Sequence, residues 1–301
     1  MKPFRFVLII ALLSGLLNAC QAAQPGTTAQ SKPLVFVSIL PQQYFVQRIA
    51  GDTVQIEVMV GPGAEPHTYE PKPAQMSALA QANLYFSIGD AFETTWLGRL
   101  QDINPNLKVV DTAAGITKRK MEAHDGSAEE HTEDTNTEAG ELDPHIWLSP
   151  PLVAVQAQTI HDALVTLNPD QKALYDANLQ AFQADISALD ASLKAELSNL
   201  STHSFMVYHP SWGYFADAYG LTQIPIEIGG TEPSPSELAA IIDEAKAQNI
   251  HVIFAQPEFS NRSAETIAAE IQGKVVMIDP LAENWLENLQ TVGQALAQGL
   301  K

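Results

Sequence analysis

The sequence predicts an α/β protein of two similar lobes, each a parallel sheet flanked by helices. Three observations carry that prediction. In the first half, short apolar and β-branched runs at 34–39, 54–60, 84–88 and 108–110 alternate with helical patterns. The same alternation recurs in the second half, with runs at 205–208, 222–226, 252–254 and 275–278. Between the halves lies the longest helical pattern of the chain. Strands separated by helices are joined by crossovers, and crossovers place neighbouring strands parallel.

Taken in order, the chain begins with a secretory signal over 1–20. Lys2 and Arg5 give a positive start, residues 6–17 form a short apolar run, and the run is too short to span a bilayer. Cys20 is the only cysteine, which excludes an intrachain disulfide. The run Leu17-Asn18-Ala19-Cys20 resembles a bacterial lipobox, so the mature protein is expected to be exported. It is then either lipid-anchored through Cys20 or soluble in the periplasm after cleavage near 20–23. Residues 21–32 are small and polar and read as a flexible tether. The first lobe is expected over 33–167, with helices at 41–50 and 72–82.

Within that lobe, 117–143 carries nine acidic residues together with His124 and His131 and few apolar ones. It reads as a solvated loop, with low-affinity metal collection as the sharper alternative. A linking helix is predicted over 168–200. Asn168-Pro169-Asp170-Gln171 is a start signal, Phe182, Ile186, Leu189, Leu193, Leu197 and Leu200 recur at helical spacing, and no glycine or proline interrupts 170–200. Such a helix would span roughly 45 Å, the length of two packed lobes. The second lobe is expected over 201–301, with helices at 215–219, 236–248 and 264–272. The start of the middle one is marked by Ser234-Pro235-Ser236-Glu237, an N-cap serine, a proline at the first helical position and a glutamate three residues after the cap.

The 301 residues, 46% of them hydrophobic, are enough to bury a sizeable core. A formal charge of −19 argues against electrostatic binding to nucleic acid or to an anionic membrane surface. It gives weak support to a cation as ligand. No later segment is apolar for long enough to cross a bilayer.

Four motifs carry candidate chemistry: Gly63-Ala64-Glu65-Pro66-His67-Thr68-Tyr69-Glu70-Pro71, Asp143-Pro144-His145-Ile146-Trp147, Tyr208-His209-Pro210-Ser211-Trp212-Gly213-Tyr214 and Ile278-Asp279-Pro280-Leu281. Each sets a possible metal ligand beside a proline, which restricts the backbone and leaves less freedom to lose on binding. Each follows a predicted strand or lies in a loop, and sites of open α/β sheets form at the carboxyl ends of strands. Two motifs fall in each half, so a cleft between the lobes could gather them. His67, His145, His209 and Asp279 offer three nitrogens and one oxygen, a set that Zn²⁺ accepts in tetrahedral geometry. Imidazole-rich ligation suits zinc better than manganese, while copper and nickel also accept it.

These motifs resemble those of the metal-binding receptors of zinc and manganese ABC importers, the cluster A-I solute-binding proteins. Pro66-His67-Thr68-Tyr69-Glu70-Pro71 is similar to that family's first ligand motif, Asp143-Pro144-His145-Ile146-Trp147 to its second, His209-Pro210 with the following aromatics to its third, and Asp279-Pro280-Leu281 to its fourth. Glu232-Pro233-Ser234-Pro235 is similar to a further segment without a ligand. The resemblance runs from about residue 33 to the C-terminus. It implies two α/β lobes joined by one rigid helix, with the metal site in the interlobe cleft. It also implies capture of zinc outside the inner membrane and delivery to a membrane permease with its ATPase. His209 stands where manganese receptors carry a carboxylate, and the acidic loop stands where zinc receptors carry a histidine-containing one. Some zinc members use water or a glutamate near the first histidine as fourth ligand, so Glu65 is an accessory candidate, as are His124 and His131. A monomer is expected.

Competing readings are a manganese or other divalent-metal receptor of the same type, a metal-binding adhesion lipoprotein, and a zinc hydrolase. A hydrolase needs an open coordination position and a general base, for which Glu65, Glu70 and Glu227 are conceivable. No His-Glu-x-x-His helix or Gly-x-Ser-x-Gly elbow is present, so no enzyme is expected.

Overall fold

The computed structural model describes residues 32–122 and 142–301. The signal over 1–20 with Cys20, the tether of 21–32 except its last residue, and the loop histidines His124 and His131 lie outside the described residues. Pro33–Lys301 forms one unit. Its first half runs β1 (Leu34–Ile39), α1 (Leu40–Ala50), β2 (Gln55–Val60), α2 (Pro73–Leu79), β3 (Leu84–Ser87), α3 (Ala91–Ile103) and β4 (Lys108–Asp111). Then come α4 (Pro150–Leu167) and the long helix α5 (Lys172–Glu196). The second half runs β5 (Ser204–Val207), α6 (Gly213–Tyr219), β6 (Thr222–Pro225), α7 (Pro235–Ala247), β7 (Val252–Ala255), α8 (Arg262–Glu270), β8 (Lys274–Met277) and α9 (Trp285–Gly299).

Each half builds a four-stranded sheet, ordered β2-β1-β3-β4 in one and β6-β5-β7-β8 in the other, with every pairing parallel. The two orders are the same permutation, so the lobes repeat one topology. The central strands are buried on both faces; Val35, Phe36, Val37 and Ile39 are at most 1% exposed. That is why they read as continuous apolar runs rather than as an alternation. In each sheet the chain reverses direction of progress at the first strand. The carboxyl ends of strands beside such a reversal leave a crevice where ligands bind.

Helix α5 packs on α1 of the first lobe and on α9 of the second. Phe182 on α5, Phe45 on α1 and Trp285 on α9 form one aromatic cluster, with ring centroids 5.8, 5.2 and 6.3 Å apart. One buried core therefore continues from lobe to lobe through this helix. Each such ring pair adds about 0.5–1.5 kcal/mol beyond its area burial. The helix is shorter than the 168–200 pattern at both ends. Pro169–Gln171 forms a 3-10 turn before it, and Leu197 at φ −92° and ψ 6° closes it. Ser198 then donates its hydroxyl to the Ala195 carbonyl at 2.9 Å. Such local side-chain bonds compete with the helical ladder. Leu197 is still buried, so the apolar spacing continues past the end of the helix.

Candidate metal centre

Most of the residues around the site sit just beyond a strand's carboxyl end. His67 lies on the loop after β2, and Asp90 follows β3. His209 follows β5, Glu227 follows β6, Glu258 follows β7 and Asp279 follows β8. His145 precedes a 3-10 turn, Ile146–Leu148, that leads into α4. The four motifs, distant in sequence, thus meet where the two sheets present their strand ends.

His67, His145 and His209 form one group whose ligand atoms all lie within 4.8 Å of one another. The Nε2 atoms of His67 and His209 are 3.1 Å apart, and those of His209 and His145 are 3.4 Å apart. Each ring turns its other nitrogen to a buried carboxylate. Nδ1 of His67 stands 3.1 Å from Asp90 Oδ2, Nδ1 of His145 is 2.8 Å from Asp143 Oδ1, and Nδ1 of His209 is 2.7 Å from Glu227 Oε1. An ionised carboxylate only accepts, so the proton of each neutral imidazole sits on Nδ1. The three Nε2 lone pairs are then left facing one point. Converging lone pairs at this separation repel unless a proton or a cation lies between them.

The carboxylates are themselves held. Asp90 caps α3 and accepts the Phe92 N–H at 3.2 Å. Burial pushes its carboxyl up, but His67, the Phe92 N–H and His145 together hold it below the usual range. Asp143 Oδ1 also accepts the backbone N–H of His145 at 2.9 Å. Burial holds the His145 imidazole below its ordinary range, against the upward pull of Asp143. His209 is fixed by Gln256, which accepts its N–H at 3.1 Å and donates to its carbonyl at 2.6 Å. Phe259 stacks on the His209 ring at 4.9 Å and 24°. Phe259, Trp147, Pro280 and Leu281 wall the small cavity at the histidines, making its surroundings apolar.

The predicted oxygen donors stand differently. Asp279 is not in the close group of three histidines. Its Oδ1 accepts the Leu281 N–H at 2.7 Å, and its carboxyl lies against that of Glu258. Burial raises both acids, Glu258 to about 7. Glu258, not Asp279, lines the histidine cavity. Glu65 also lines it, but its carboxylate accepts the N–H of His67 at 2.6 Å and that of Thr68 at 2.8 Å. It therefore shapes the turn that presents His67. Sequence reasoning did not find Asp90, Gln256, Glu258 or Phe259. It quoted Asp143 without a role and considered Glu227 only as a hydrolytic base. The one local signal at Asp90 is the capping box Asp90…Glu93, which marks a helix start and says nothing of a histidine elsewhere.

A two-lobed α/β body with one helix packed along both lobes, and imidazoles gathered at the strand ends, defines a metal-binding receptor of the solute-binding type. Residues 35–299 match the family described as "ZnuA: Zinc-uptake complex component A periplasmic", and the chain belongs to that family. Among solved structures it resembles one titled "Crystal structure of ZnuA", at 45% identity and TM-score 0.82, covering 90% of this chain and all of that one. It is 30% identical to the zinc-binding lipoprotein AdcA of Streptococcus pneumoniae serotype 4, over 91% of this chain and 54% of the relative. It is 26% identical to the manganese-binding lipoprotein MntA of Halalkalibacterium halodurans, over 100% of this chain and 99% of the relative. The family binds metal ions for transport as the receptor component of ABC importers, and is not a family of enzymes. Among the described residues no helix is long and apolar enough to cross a membrane.

Proposed function

We propose that this chain captures Zn²⁺ outside the inner membrane and delivers it to the permease of an ABC importer, with its ATPase as the further partner. The observation that carries this reading is the spacing of the three Nε2 atoms. With Zn–N bonds of about 2.0–2.1 Å, the edge of a coordination tetrahedron is about 3.3–3.4 Å. The separations from His209 to His67 and to His145, 3.1 and 3.4 Å, lie close to that edge. His67, His145 and His209 are the proposed ligands. The fourth position falls to an oxygen, with Asp279 or water as candidates and Glu65 as an accessory. The nitrogen-rich set favours zinc over manganese, which prefers oxygen-rich sites. The chain is proposed to be exported, periplasmic or held by acyl chains on Cys20, and to act as a monomer. Because α5 packs on both lobes, wide hinge opening is resisted, and release is assigned to docking on the permease.

The test is competition titration and calorimetry on protein purified without added metal. One high-affinity zinc equivalent is expected, with manganese binding far weaker. His145→Ala should abolish the high-affinity phase while the protein stays folded. An unchanged stoichiometry and affinity in that variant would refute the ligand assignment.

A further inference from the structure

We infer that Tyr214 is a positioning residue for metal binding: its hydroxyl ties Asp143, the carboxylate that orients His145, to the lobe that carries His209. The inference rests on the reading of the three histidines as ligands.

Tyr214 lies on the first turn of α6, directly after the motif that carries His209. Its hydroxyl donates to the Asp143 carbonyl at 2.8 Å and accepts the Arg119 N–H at 3.0 Å. The Asp143 N–H in turn donates to the Arg119 carbonyl at 2.9 Å. The backbone at Asp143 is therefore held from both sides, by Arg119 and by Tyr214. The carboxylate of the same residue receives Nδ1 of His145. Movement of that backbone would swing the carboxylate and turn the imidazole.

The other end of the brace is equally fixed. The Ser211 N–H donates to the His209 carbonyl at 2.8 Å. Gln223 accepts the Trp212 N–H at 3.0 Å and donates to the Pro210 carbonyl at 3.0 Å. His209 and Tyr214 thus belong to one rigid turn. The Tyr214 ring, 6% exposed, packs with Ala113 and Ile146, next to His145. Burial pushes its hydroxyl up to about 12, so it stays protonated and keeps donating at any working pH. One motif therefore supplies one ligand and fixes the angle of another.

Tyr214→Phe keeps the ring and removes the hydroxyl, leaving the part-buried Arg119 N–H and the buried Asp143 carbonyl without that partner. Losing a direct orienting partner of a metal-bound histidine costs 10–100-fold in affinity, and an effect one bond further out is expected at about 3–10-fold. The experiment measures zinc affinity by chelator competition, and zinc off-rate, for the wild type, Tyr214→Phe, Asp143→Asn, the double variant and His145→Ala. All are read well below their own melting temperatures. The expected result is weaker binding and faster release in Tyr214→Phe, and a double variant no weaker than Asp143→Asn alone. A purely structural tyrosine would lower the melting temperature and leave that non-additivity absent. Unchanged affinity in Tyr214→Phe, or a full additional loss on top of Asp143→Asn, overturns the inference. His145→Ala separates the two readings. If it keeps full affinity, the ligand assignment itself fails. If it loses affinity while Tyr214→Phe does not, only the brace fails.

Discussion

At the residue scale the site is a set of paired groups, each imidazole with its own buried carboxylate. The pairing fixes the tautomer and raises the basicity of the nitrogen that faces the other two rings. Asp90→Asn and Glu227→Gln should each weaken zinc binding by about 10–100-fold without removing a ligand, as read by chelator competition. Asp279→Asn separates two arrangements of the oxygen donors. A small effect would agree with its position beside Glu258 and outside the histidine group, whereas a loss equal to that of His145→Ala would make it a full ligand. The histidines could be read from the sequence because each lies directly beside a proline in a short motif, Pro66-His67, Pro144-His145 and His209-Pro210. Their carboxylate partners could not. Asp90 and Glu227 follow other strands than the histidines they serve, and only the folded chain brings each beside its partner.

At the scale of elements, the central strands were legible because burial on both faces leaves a nearly continuous apolar signature, as in β1 and β7. The start of α7 was legible from its cap: Ser234 and Glu237 exchange the reciprocal bonds that their spacing predicts. Helix α4 was not identified. Its sequence PPLVAVQAQTIHDALVTL is rich in β-branched residues, which carry little helical preference, and it forms by packing on α1 and α5. The extent of α5 was overestimated because apolar spacing outlasts helical geometry at Leu197 and beyond. If α5 is one rigid spine, substitutions at its exposed Ala184 should act on stability alone. Ala184→Gly should cost about 1 kcal/mol and Ala184→Pro about 3 kcal/mol or more in denaturant unfolding. The glycine variant should keep the zinc affinity of the wild type; a change in affinity would mean that the helix communicates with the site.

At the scale of the whole molecule, two pH dependences run in opposite directions. Glu93 is buried beneath the Asp90 loop. It accepts the N–H groups of Ile88, Gly89 and Asp90 at 3.1, 2.6 and 3.2 Å and contacts Ser38. Burial pushes its carboxyl up from an ordinary 4.5 to about 7. The folded state therefore holds this proton more tightly than the unfolded chain, and between those two values it binds more protons. Its contribution to stability is greatest below pH 4.5 and declines as pH rises through 7. The metal-free melting temperature of Glu93→Gln, compared with wild type from pH 5 to 8, should lack that decline; identical profiles would contradict it. Zinc binding moves the other way. Neutral imidazoles are needed, so affinity should fall as the solution is acidified. The central claim is that three imidazoles from separate stretches of chain share one cation between the lobes. Zinc-edge X-ray absorption on the loaded protein tests it most directly. Three imidazole nitrogens at about 2.0–2.1 Å with one further light-atom ligand are predicted. A six-coordinate shell of oxygens, or a single imidazole, would contradict it.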